Sequence, residues 1–81
     1  MEPGGLLSRT PLGQYVDHMR KRQAGLTMDQ MSLEAGLPPD TVRSIIQEGH
    51  QPALGTLQAL SDRWGTAEDY RNLLQLLGDR P

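Results

Sequence analysis

Apolar residues recur at helical spacing in five separate stretches of this chain. The first contains Leu12, Tyr15, Val16 and Met19, and the second Leu26, Met31 and Ala35. Leu37, Val42 and Ile45 make a third. Leu54, Leu57, Ala59, Leu60 and Trp64 make a fourth, and Tyr70, Leu73, Leu74, Leu76 and Leu77 a fifth. Each stretch places its apolar side chains on one face of a helix. The pattern predicts an all-α domain of about five short helices over residues 10–78. Tails are expected at 1–9 and 79–81.

Local chemistry marks where these helices begin and end. Thr10 and Pro11 read as cap and first residue of helix one, which Gly25 ends. Thr27 and Gln30 have the spacing of a capping box, and Leu26 and Met31 that of a hydrophobic staple. Gly36 falls where a left-handed residue must stop the second helix. A third helix is expected from Pro39 to Gln47, with Pro38 in the cap position and no side-chain acceptor there. Leu37 and Val42 are spaced to staple it. Helix four is expected from about Leu54 to Trp64, closed by Gly65. Thr66 caps helix five, with Asp69 three residues on, and Gly78 ends it.

The joint between helices two and three spans about three residues on this reading. That is too short for antiparallel packing, so the two helices should cross steeply as a helix-turn-helix. Trp64 is read as core, which requires a partner for its ring N–H. The leucines of helix five exceed what one buried stripe needs, so some are expected at an interface between two copies of the chain.

An ordered set of residues carries a resemblance to the Cro and lambda-repressor-like helix-turn-helix family, often called XRE. The set is Leu26, Thr27, Ser32, Gly36, Leu37, Thr41, Val42 and Ile45, then Gly49, Pro52, Leu54, Leu57 and Leu60. It covers the chain from Leu12 to about Trp64. Three positions depart from the family pattern. Met28 stands for the usual helix-two glutamine, Gly49 comes one place late after Ile46, Gln47 and Glu48, and Ala53 replaces the cap after the loop proline.

The resemblance implies a transcriptional regulator, repressor-like and cytoplasmic, that inserts its third helix into the major groove of double-stranded DNA. It places Pro39, Asp40, Thr41, Arg43, Ser44 and Gln47 against the bases, with Arg43 able to read guanine. It places Arg22, Thr27, Met28, His50 and Gln51 against the backbone. The amino end of helix two would point its N–H groups at a phosphate. The family frequently dimerises through its last helix, which implies a homodimer through Leu73, Leu74, Leu76 and Leu77.

Composition sharpens the alternatives. The 81 residues carry a net charge of −2 and no cysteine. One small domain is implied, without disulfides or thiol chemistry. Nucleic-acid binders are commonly basic, so the charge argues mildly against tight DNA binding by a monomer. Arg20, Lys21 and Arg22 form the one basic cluster, read either as a dipole-matched helix end or as a phosphate contact. Arg9 in the tail gives a minor-groove arm as a further reading.

No apolar run has the roughly 18 residues that span a bilayer, and no signal peptide is visible. No phosphate loop, metal-ligand spacing or nucleophile–base pair is readable. No enzyme, metal or cofactor is therefore expected. His18 is read as a surface residue, and Asp17, Asp29 and Glu34 as solvated helix faces. The alternatives are a protein-interaction module or antitoxin-type dimer on the same fold, or the DNA-binding part of a longer regulator.

Overall fold

The Thr10 side chain accepts a hydrogen bond from the Gly13 N–H at 2.9 Å, and Pro11 follows as the first helical residue. Helix α1 then runs Pro11–Lys21. Four more helices follow: α2 Met28–Glu34, α3 Thr41–Gln47, α4 Leu54–Trp64 and α5 Ala67–Gly78. The structure, a computed structural model, describes residues 10–78. The expected tails and the Arg9 arm lie outside the described residues. Among the described residues the chain is all-α, and no helix is long and apolar enough to cross a membrane.

Helix α1 packs on α3 and α5, α2 packs on α3 and α4, and α4 packs on α5. The core between them holds Leu12, Val16, Met19, Leu26, Met31, Val42, Ile45, Ile46, Leu57, Leu60 and Leu73. Gly13 lets α1 approach the end of α3. A Cβ there would stand 2.8 Å from the Ile45 carbonyl oxygen and 3.3 Å from Ile46 Cα.

Helix α2 begins and ends as its sequence dictates. The Thr27 hydroxyl accepts from the Gln30 N–H at 3.0 Å, and the Gln30 side chain accepts from the Thr27 N–H. At the other end Gly36 has φ +80°. The Leu37 N–H donates to the Ser32 carbonyl at 2.9 Å, and the Gly36 N–H to the Leu33 carbonyl at 3.0 Å. These two bonds and the left-handed glycine make a Schellman motif.

Helix α3 departs from expectation. It starts at Thr41 with Asp40 as the N-cap residue, so Pro38 is not the cap and Pro39 lies in the preceding turn. The Thr41 N–H closes that turn on the Pro38 carbonyl at 3.1 Å. The joint with α2 therefore spans residues 35–40, longer than the three residues expected. The Asp40 side chain makes no capping bond. The Val42 N–H is instead met by the Ser32 hydroxyl oxygen at 2.9 Å, and that hydroxyl donates to the Met28 carbonyl at 3.2 Å.

One charged residue, Asp17, also departs from expectation. Asp17 is buried and pairs with Arg20 at 2.9 Å and Lys21 at 3.4 Å, rather than facing solvent. Arg20 also donates to the Leu26 carbonyl at 2.8 Å, which ties the α1–α2 loop to α1. Glu34 pairs with Arg63 at 2.7 Å, and Asp29 pairs with Arg43.

Buried Asp69 joins α5 to α1. It completes the expected box with Thr66, accepting from the Thr66 N–H at 2.9 Å. It also accepts two bonds of 3.1 Å from Arg22 and one of 2.8 Å from the Tyr15 hydroxyl. The Arg22 hydrogen bond, followed by those from Tyr15 and the Thr66 N–H, outweighs burial and holds the Asp69 carboxyl well below the usual carboxylate range.

The Trp64 ring N–H finds its acceptor in the Met31 carbonyl at 3.0 Å. Leu54, expected on the inner face of α4, is 55% exposed, and buried Ser61 stands on that helix with Leu57 and Leu60.

Candidate nucleic-acid interface

Helix α3 divides cleanly by exposure. Val42, Ile45 and Ile46 are buried. Thr41, Arg43 and Ser44 are half-buried, and Gln47 is exposed. Burial of the apolar trio turns the polar residues outward, because one face of a seven-residue helix cannot do both. Pro39 and Asp40 are exposed in the turn before it. All six positions expected against bases therefore reach the surface.

The end of α3 is tied to the following loop. Gly49 has φ +70°, and the Glu48 and His50 N–H groups both donate to the Ser44 carbonyl at 3.1 Å. This brings His50 beside α3. An open groove of about 370 Å³ results, lined by Pro38, Asp40, Thr41, Ser44, His50, Pro52, Ala53 and Thr56. Three expected base-facing residues, Asp40, Thr41 and Ser44, thus share one groove with His50 from the backbone set. Pro39, Arg43, Gln47, Thr27, Met28 and Gln51 do not line it.

The other backbone candidates differ in availability. Thr27 is exposed but its hydroxyl already accepts the Gln30 N–H. Met28 is half-buried and packs against the core. Gln51 is exposed. Arg22 keeps 40% of its side-chain surface open, yet both bonds of its guanidinium go to Asp69 on α5. Asp69 raises the Arg22 pKa above its ordinary value, first through that hydrogen bond, so Arg22 stays charged.

Between Arg22 and Arg63 the sequence is acidic. Residues 23–62 contain one Lys or Arg, Arg43, against five carboxylates: Asp29, Glu34, Asp40, Glu48 and Asp62. Arg43 in turn donates to the Asp29 carboxylate on α2. Sequence reasoning missed this partner and the Ser32 hydroxyl alike. The available signal was a serine at an inward position of an otherwise apolar face.

The leucines of α5 are mostly committed to the monomer. Leu73, expected at an interface, has no exposed surface and is a core residue. Leu74, Leu76 and Leu77 are half-buried and pack against the core. Among the described residues, the exposed large apolar ones are Leu33 at 56% and Leu54 at 55%, on α2 and α4.

No protein-family model, curated protein or solved structure matches this chain.

Proposed function

We propose that the chain is a sequence-specific DNA-binding domain of the helix-turn-helix kind, acting in the cytoplasm as a repressor-like regulator. Helix α3 enters the major groove, and α2 lies across it near the backbone. The observation that carries this reading is the outward polar row of α3. Thr41, Arg43, Ser44 and Gln47 stand beside a short helix and a glycine turn. Arg43 reads guanine, and Thr41 and Ser44 contact phosphate or a thymine methyl. Asp40 has one useful base partner, the cytosine amino group.

The test is selection from randomised duplex DNA. The wild-type chain should enrich one sequence. Arg43→Ala should lose discrimination at one guanine by about 1–3 kcal/mol. Enrichment of no sequence would reject the reading.

A second reading is a protein-interaction module on the same fold. It is favoured by the five carboxylates against one cation in residues 23–62, and by exposed Leu33 and Leu54. Such a module would show little affinity for DNA at any salt concentration. We further propose a homodimer through Leu74, Leu76 and Leu77, without Leu73. Sedimentation at high micromolar concentration should give the mass of two chains, and the mass of one chain would reject the dimer.

A further inference from the structure

We propose that Asp29 is a specificity-determining residue, which holds Arg43 back from indiscriminate phosphate contact. The inference rests on the DNA-binding reading above and concerns how that surface is controlled.

Arg43 is the one permanently charged cation in residues 23–62. Non-specific affinity for DNA comes from cations that neutralise phosphates and release counterions. Of the two arginines expected against DNA, Arg22 is held by both bonds to Asp69, which leaves this contribution mainly to Arg43. Its Nη2 donates to Asp29 Oδ1 across the joint between α2 and α3. The carboxylate cancels the charge locally and repels an approaching phosphate.

The pair is poised rather than locked. Arg43 keeps 44% of its side-chain surface and Asp29 keeps 46%. Ion pairs this open to water contribute little to stability. A guanine edge offers two acceptors in fixed register and no net negative charge. It can engage the free edge of the guanidinium while Asp29 stays in place. A phosphate must instead compete with Asp29 for the same charge. The device lowers affinity for arbitrary DNA more than affinity for a site with guanine in register. Asp29 thus acts against the wrong target rather than for the right one.

The experiment uses the full chain and a mixed-sequence duplex, with binding followed over a series of salt concentrations. Asp29→Asn keeps the shape of the side chain and removes its charge. It should bind severalfold tighter, with a salt slope steeper by about one. Adding Arg43→Gln should abolish the gain. Glu68→Gln removes the same charge from exposed surface on α5 and should change neither quantity.

An equal gain from Glu68→Gln would trace the effect to net charge and overturn the proposal. So would unchanged binding by Asp29→Asn while the wild-type chain binds, and in that case the DNA-binding reading stands. If wild type and Asp29→Asn both remain folded by circular dichroism and neither binds at low salt, the DNA-binding reading fails and the proposal with it.

Discussion

The hydroxyl oxygen of Ser32 accepts a hydrogen bond from the backbone N–H of Val42 at 2.9 Å, with Ser32 fully buried on α2 and Val42 fully buried on α3. An α-helix leaves its first N–H groups without partners, and a residue just before it usually satisfies one. Here the acceptor comes from the neighbouring helix, ten positions earlier. The same contact that caps α3 therefore fixes it against α2.

Replacing Ser32 tests that role. Ser32→Ala leaves the Val42 N–H buried and unpaired, which costs about 1–3 kcal/mol. For a domain of this size each kcal/mol lowers Tm by roughly 4–8 °C. A thermal melt should therefore fall by several degrees or more. An unchanged melt would show that another group satisfies Val42.

Ala53 offers the opposite change. It is the N-cap residue of α4, with extended backbone at φ −73° and ψ 161° and no side-chain capping bond. Ala53→Ser should stabilise the fold by about 1 kcal/mol. Pro38→Ser should leave the melt nearly unchanged, because α3 starts at Thr41 and residue 38 is too early to cap it. A larger gain at 38 than at 53 would contradict this placement of the helix starts.

How much of this was legible in the sequence depends on how far apart the partners lie. Thr10, the Thr27–Gln30 box, Gly36 and the Thr66–Asp69 box act within a few residues. The starts of α1, α2 and α5 and the end of α2 could accordingly be read directly. The start of α3 could not, because its acceptor is Ser32. Asp69 and Arg22 meet across 47 positions and Trp64 and Met31 across 33, so neither contact leaves a local signal. Leu73 was misjudged for the same reason. A leucine-rich helix shows which residues are apolar, but only packing against α1 and α4 decides which of them are covered. At the candidate site, the outward row of α3 followed from helical periodicity, whereas the Asp29 partner of Arg43 did not.

The Asp69 network makes stability depend on acid. Its folded carboxyl ionises below the ordinary range near 4. It therefore stabilises the fold fully at neutral pH. That contribution is lost as pH falls from about 4 through the lower folded value. Asp69→Asn should cost about 2 kcal/mol at neutral pH, from weakened bonds to Arg22, Tyr15 and Thr66. Denaturant titrations from pH 7 to pH 2 should show the difference between wild type and variant shrinking below about pH 4. A difference that stays constant down to pH 2 would contradict the network.

Gly13 sets the approach of α1 to α3. Alanine is the better helix former by about 1 kcal/mol. The added Cβ would nevertheless meet backbone atoms of Ile45 and Ile46, which cannot move aside like a flexible side chain. Overpacking of this kind costs about 1–3 kcal/mol. Gly13→Ala should therefore destabilise in a denaturant titration, and a stabilised variant would show that the two helices can separate freely.

We propose that α3 and its surroundings bind DNA despite the acidic sequence between Arg22 and Arg63. The most direct measurement is the affinity of the wild-type chain for a mixed-sequence duplex as salt rises from a low starting concentration. Saturable binding is expected at low salt. Log affinity should fall linearly with log salt concentration, with a shallow slope because few cations are expected to face the duplex. Absence of binding at the lowest salt, by a chain that circular dichroism shows to be folded, would contradict it.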